Sequence, residues 1–224
     1  MKYKTLLIDL DDTLLDFSEA SAHALSYLMS ELAIEEKGDD LAFFEKVNRK
    51  CWDMLEAGLI SKDELGEKRF SLFLRRYDPT LDAQRANRIF LDGISQSARL
   101  IPGAFDLCRT LSGCCRLALM TNGLADVRKR LEISGLAPFF SHLFISSEMG
   151  PAKPDPKFFS AVLNYLGQEA GSCLILGDSL SSDIKGGKNS GIDTCWYNPL
   201  GLDGTGYTYM IKELSEFIDI VLSH

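Results

Sequence analysis

Short apolar runs recur along the chain, each breaking off into polar or small residues, and between them apolar positions repeat every three or four residues. The first pattern is that of strands buried in a parallel sheet, the second that of helices packed against it. Predicted strands are Thr5 to Leu10, Arg116 to Thr121, His142 to Ser146, Cys173 to Gly177 and Thr194 to Tyr197. Their alternation with helical stretches predicts an α/β fold with a doubly wound parallel sheet, in which ligands gather at the carboxyl ends of the strands.

One connection breaks the rhythm. The first two strands are separated by far more than the ~30 residues of a βα unit, and the intervening stretch reads as helical. Asp16 and Glu19 have the spacing of a capping box, and Leu25, Leu28, Met29 and Leu32 follow at i, i+3, i+4 and i+7. Further helical patterns run over Leu41 to Leu55, Glu64 to Tyr77 and Ala83 to Ile94, punctuated by Gly38, Gly58 and Pro79. An insertion of this size needs its own core. Residues 16–96 are therefore predicted to form a helical cap domain, and residues 1–15 with 97–224 the main domain, Pro102-Gly103 marking the return. Phe17, Phe43, Phe44, Trp52 and Met54 include candidates for stacking on a substrate, but aromatic and Met side chains at helical spacing are expected to serve that core.

With 46% hydrophobic residues and 18 Gly against 7 Pro in 224 residues, collagen-like, coiled-coil and low-complexity classes are excluded. The 24 basic residues are outnumbered by 32 acidic ones, for a net charge of −8, which argues against a nucleic acid polymer as partner and leaves acids free to hold a divalent cation. Met1-Lys2-Tyr3-Lys4 runs into only Leu6-Leu7-Ile8 before Asp9, too short for a secretory signal, and no apolar run approaches the ~20 residues of a membrane span. The six cysteines include no C-x-x-C. A cytoplasmic protein with reduced, buried thiols and no membrane partner is expected.

The chemistry is concentrated at strand ends. Leu6-Leu7-Ile8 delivers Asp9, Asp11 and Asp12, a set of carboxylates that repel one another unless a cation or a proton relieves them. The second predicted strand ends in Thr121-Asn122-Gly123, a hydroxyl, an amide and a flexible residue that suits anion binding by backbone N–H groups. Lys153 lies in the Pro-rich loop Pro151 to Pro156 after the third strand, and Leu174-Ile175-Leu176-Gly177 delivers Asp178, with Asp183 five residues later opening a helix. Singly, Thr121 reads as a helix cap, Lys153 as a solvated cation and Asp183 as an N-cap. Their coincidence at four strand ends points to one site.

In order, strand context and spacing, Asp9-x-Asp11-x-Thr13, Thr121-Asn122, Lys153 and Gly177-Asp178 with Asp183 resemble the four motifs of the haloacid dehalogenase-like hydrolases, and the helical insertion resembles that family's type I cap. The resemblance implies a Rossmann-like core and an Mg²⁺-dependent phosphomonoester hydrolase. It implies that Asp9 is the nucleophile that forms an aspartyl phosphate and that Asp11 is the general acid and base. It further implies that Asp9, the Asp11 carbonyl and Asp178 ligate Mg²⁺ with Asp183 in support, while Thr121, the Asn122 backbone and Lys153 bind the phosphoryl group. Dehalogenases of the family lack the carboxylate equivalent to Asp11, because a halide needs no proton, so its presence favours a phosphatase. Asp12 stands where the family very often has Gly, and a turn-capping or solvated role is expected of it.

The Asp-Asp-Thr form, with Gly191-Ile192-Asp193-Thr194-Cys195-Trp196-Tyr197-Asn198-Pro199, is similar to the bacterial nucleoside 5′-monophosphatase branch. That similarity implies a nucleoside monophosphate as the small phosphorylated partner, a sugar phosphate being the alternative; the oligomeric state is left open. A phosphonate hydrolase would need a Schiff-base lysine that none of Lys46, Lys50, Lys62 and Lys68 identifies. A receiver-like phosphoacceptor domain would need its Asp at the end of a middle strand, where Thr121-Asn122 and Ser146-Ser147 stand. A non-catalytic binding protein would have no use for the full reactive set. Neither G-x-S-x-G nor H-E-x-x-H occurs, two of the three histidines are His23 in the insertion and the terminal His224, and the loop Gly201 to Gly206 opens no phosphate-facing helix.

Overall fold

The computed structural model describes residues 2–223, save the side chain of Glu56. His224, set aside above, lies outside them. Six parallel strands form one sheet in the order β3-β2-β1-β4-β5-β6: β1 Thr5–Ile8, β2 Arg116–Thr121, β3 His142–Ile145, β4 Cys173–Gly177, β5 Asp193–Tyr197 and β6 Tyr209–Ile211. This is the doubly wound Rossmann-like arrangement, and its central strands β1 and β4 are buried at every position, which is why they read as unbroken apolar runs. The first strand is shorter than expected. After Asp9 the chain turns, and the Leu10 carbonyl accepts from Leu14 and Leu15 N–H groups instead of extending the ladder. The edge strand β6 was not expected; its three residues, Tyr209-Met210-Ile211, follow a Gly-rich loop and make a run too short to stand out as a strand.

Connecting helices are α5 Ala104–Leu111, α6 Val127–Ser134, α7 Ser146–Met149, α8 Pro156–Leu166, α9 Lys185–Asn189 and α10 Leu214–Ser223. On one side of the sheet Leu7, Ala118 and Ile175 pack with Phe158, Phe159 and Val162 of α8.

Residues Phe17–Ala98 form a second compact unit of four helices, α1 Phe17–Glu31, α2 Asp40–Glu56, α3 Lys62–Leu74 and α4 Ala83–Ser95. A capping box is formed in it by Ser61 and Glu64 at the start of α3. Its core holds Phe44, Phe70, Phe73 and Phe90, the Phe44 and Phe90 rings lying 4.7 Å apart. Phe44 is thus a core residue. A buried Arg69 sits among these rings and donates to Asn48 Oδ1 at 2.9 Å and Asn87 Oδ1 at 2.8 Å. Desolvation lowers its pKa to about 10. In the first unit, the chain segments that lead to and from the insertion run antiparallel, with Ile101 donating to the Leu14 carbonyl and Asp16 to that of Arg99.

Candidate active site

The sheet register builds the site. Ile8 pairs with Leu119 on one side and Leu176 on the other, so Asp9, just past the end of β1, stands level with Met120 and Gly177 near the ends of β2 and β4. Asp9 N–H still donates to the Leu176 carbonyl at 2.9 Å, which fixes its backbone as the ladder ends. Asp178 follows β4, and Asp183 lies in a π-helical turn, Leu180–Ile184, that precedes α9. The N-cap of that turn is Ser179, whose Oγ accepts from Ser182 N–H. Asp183 is therefore not a cap; it is fully buried and accepts from Ser179 N–H at 3.2 Å. Gly177 permits this, since a β-carbon there would lie 2.3 Å from the Asp183 carboxyl carbon.

Lys153 is buried, not solvated. Its ammonium has three protons to donate, and three acceptors receive them: Asp9 Oδ1 at 2.6 Å, Asp183 Oδ1 at 2.7 Å and the Met120 carbonyl at 2.9 Å. The loop that carries it is clamped by the Asn122 side chain, which accepts from Lys153 N–H at 3.0 Å and donates to the Lys153 carbonyl at 2.8 Å. Sequence reasoning missed this use of Asn122, because its partner lies 31 residues away. Thr121 Oγ1 accepts from Gly123 N–H at 2.9 Å and so shapes the turn after β2.

Ligand atoms of Asp9, Asp178 and Asp183 all lie within 4.8 Å of one another. Three carboxylates facing one ammonium leave an excess of negative charge, and the donor set is all oxygen, which suits a hard divalent cation. The electrostatics agree. Burial pushes the Asp9 carboxyl up to about 7, the charges of Asp183 and Asp11 adding to this and Lys153 opposing it. Desolvation also raises Asp178, with Asp9, Asp183 and Asp12 reinforcing the shift. For Lys153 desolvation acts downward, but the charges of Asp183 and Asp9 outweigh it and the net shift is upward. The residues thus fit a divalent cation that would relieve what one lysine does not.

Asp11 does not join the carboxylate cluster. It is paired with the buried Arg130 of α6, Nη1 to Oδ1 at 2.7 Å, a partner that sequence reasoning passed over. Asp12, at the family's usual Gly position, has φ +58°, the left-handed conformation that favours glycine and that Asp tolerates better than most residues.

A family model described as haloacid dehalogenase-like hydrolase matches residues 3–191. YfnB of Bacillus subtilis, whose name places it among the HAD hydrolases, is 38% identical over 98% of this chain and 96% of its own length. The pyrimidine 5′-nucleotidases PynA of Streptococcus pneumoniae and YjjG of Escherichia coli are 34% and 29% identical, covering 99% and 100% of this chain and 94% and 100% of theirs. The crystal structure of magnesium-bound YfnB superposes with a TM-score of 0.93 over 99% of each chain. The chain belongs to the haloacid dehalogenase-like hydrolases, and the receiver-like alternative falls away.

Proposed function

We propose that this enzyme is an Mg²⁺-dependent phosphomonoesterase that works through an aspartyl phosphate on Asp9 and acts on nucleoside 5′-monophosphates. One observation carries the reading: a carboxylate at the end of the central strand, held by a buried lysine and grouped with two further acids. Asp9, the Asp11 carbonyl and Asp178 would hold Mg²⁺, with Asp183 fixing Lys153 beside them. The cation supplies charge neutralisation for the phosphoryl oxygens.

In this reading Asp9 attacks phosphorus in line while Asp11 gives a proton to the leaving oxygen. Water then attacks the acyl phosphate, Asp11 taking its proton, and inorganic phosphate leaves. Thr121 and the Asn122 backbone bind phosphoryl oxygens. Since all three Lys153 protons are directed to protein acceptors, its contribution to the phosphoryl group is a fixed nearby charge, with Asp9 kept oriented. The nucleotide preference rests on the likeness to PynA and YjjG, both named as pyrimidine 5′-nucleotidases.

Purified protein should be assayed against nucleoside monophosphates, hexose phosphates, triose phosphates and a 2-haloacid, with Mg²⁺ and in excess chelator. The expected result is Mg²⁺-dependent phosphate release with the highest kcat/KM on pyrimidine nucleotides. Better turnover of sugar phosphates would move the substrate assignment, and halide release or full activity in chelator would overturn the chemistry.

A further inference from the structure

Arg128, Lys129 and Arg130 are consecutive on α6. The helix separates them. Val127, Arg130 and Leu131 lie on its buried side, while Arg128 and Lys129 are exposed. Only 1% of the Arg130 side chain is exposed, and burying a guanidinium costs several kcal/mol unless a partner compensates. One partner is Asp11, with Nη1 2.7 Å from Oδ1. By distance this is an ion pair, but no N–H is well aligned on Asp11 Oδ1, so the pull is mainly Coulombic.

The other carboxylate oxygen faces elsewhere. Asp11 Oδ2 lies 3.2 Å from the point a β-carbon on Gly123 would occupy, and Thr121 Oγ1 lies 3.1 Å from that same point. The absence of a side chain at 123 lets the free end of Asp11 sit against the turn assigned above to the phosphoryl group. From this geometry we infer that Arg130 is a positioning residue: by anchoring Oδ1 it presents Oδ2 of Asp11 toward the leaving-group oxygen. The inference rests on Asp11 being the general acid.

The test compares two substrates within one preparation, so that the fraction of folded protein cancels. Uridine 5′-monophosphate has a leaving alkoxide that needs a proton, whereas p-nitrophenyl phosphate has one that is stable as an anion. Rapid-quench measurement of the first chemical step gives a rate ratio for the parent, Asp11→Asn, Arg130→Gln, Arg130→Lys and the double variant Asp11→Asn/Arg130→Gln. Asp11→Asn should lower the nucleotide-to-aryl ratio by about 10²-fold. Arg130→Gln should lower it by about 10-fold, Arg130→Lys should recover part of the loss, and Arg130→Gln should change the ratio no further once Asp11 is Asn.

If Arg130→Gln slows both substrates equally while Asp11→Asn is selective, Arg130 is only a packing element and the inference fails. An additive effect in the double variant would also overturn it. If Asp11→Asn itself is not selective, the general-acid reading fails instead. Should Arg130→Gln not fold, the Arg130→Lys ratio decides: a value equal to the parent's, with a normal melting temperature, would show that any buried cation suffices and that the guanidinium has no positioning role.

Discussion

The indole Nε1–H of Trp196 donates to the main-chain carbonyl of Asp178 at 2.7 Å. Trp196 pairs in register with Gly177, the last residue of β4, so the bond ties the segment just beyond that strand to β5. The indole is itself held against Tyr207, with ring centroids 5.5 Å apart. Trp196→Phe keeps the ring and removes the donor, leaving a partly buried carbonyl short of a partner at a cost of about 1–2 kcal/mol. Its expected effects are a lower melting temperature and a higher Mg²⁺ concentration at half-saturation. With Trp52 replaced by Phe, Trp196 is the remaining tryptophan, and its emission should respond to Mg²⁺. An unchanged melting temperature and unchanged metal affinity in Trp196→Phe would show that Asp178 is positioned without it.

Lys153 offers a stronger perturbation. Lys153→Met conserves much of the length but strips Asp9 and Asp183 of their shared counter-charge inside the protein, and breaking a buried pair from one side costs about 3–5 kcal/mol. In chelator the variant should unfold at markedly lower urea than the parent. Mg²⁺ should recover part of the difference, because it restores positive charge to the same carboxylates. Phosphatase activity should be lost in both conditions. Parent-like stability in chelator would mean that these carboxyl groups are neutral when metal is absent.

What the sequence made legible was whatever repeats locally. The buried strands of the sheet appear as apolar runs that end at Asp9, Thr121 and Asp178, and the four helices of the insertion appear through apolar spacing at positions such as Leu25, Leu28 and Met29. Residues whose role depends on distant partners were not legible. Arg69 and Arg130 count as polar in any periodicity, yet Asn48, Asn87 and the phenylalanine rings bury one and Asp11 the other. The Asn122 side chain looked like part of an anion-binding turn; its amide serves the Lys153 loop. Thr121, Lys153 and Asp183 each had an ordinary local explanation, and for Lys153 and Asp183 the structure replaces it with burial and mutual pairing.

At Asp12 the expectation of a turn residue meets a backbone reason. An L-residue at φ +58° carries steric cost of roughly 1–2 kcal/mol, less for Asp as a residue type, since a short polar side chain can bond locally. Asp12→Gly removes that cost but gives up roughly 0.5–1 kcal/mol through the looser unfolded chain. The two nearly cancel, so its unfolding free energy should match the parent within about 0.5 kcal/mol. Asp12→Val places a β-branched side chain in the same conformation and should lose about 2 kcal/mol. Urea denaturation of both variants checks this; a Val variant as stable as the Gly variant would show that the turn adopts another conformation.

The raised Asp9 pKa fixes the sign of a pH effect. Burial pushes this carboxyl up to about 7, above the ~3.9 of an unfolded aspartate, so between those values the folded metal-free protein holds a proton that the unfolded chain has lost. Stability of the metal-free protein should therefore fall as pH rises from about 4 to about 7, and above it the Asp9 contribution to the slope should end. A divalent cation competes with that proton. Below about 7, Mg²⁺ should bind with release of the Asp9 proton and with affinity that weakens as the pH falls; above it the Asp9 share of the release should vanish, leaving only that of Asp178, whose carboxyl is raised as well. Calorimetric titration with Mg²⁺ at pH 6 and pH 8, each in two buffers of different ionisation enthalpy, measures the protons released. Uptake of protons, or equal release at both pH values, would contradict the assignment of Asp9 as a ligand whose carboxyl is held protonated by burial.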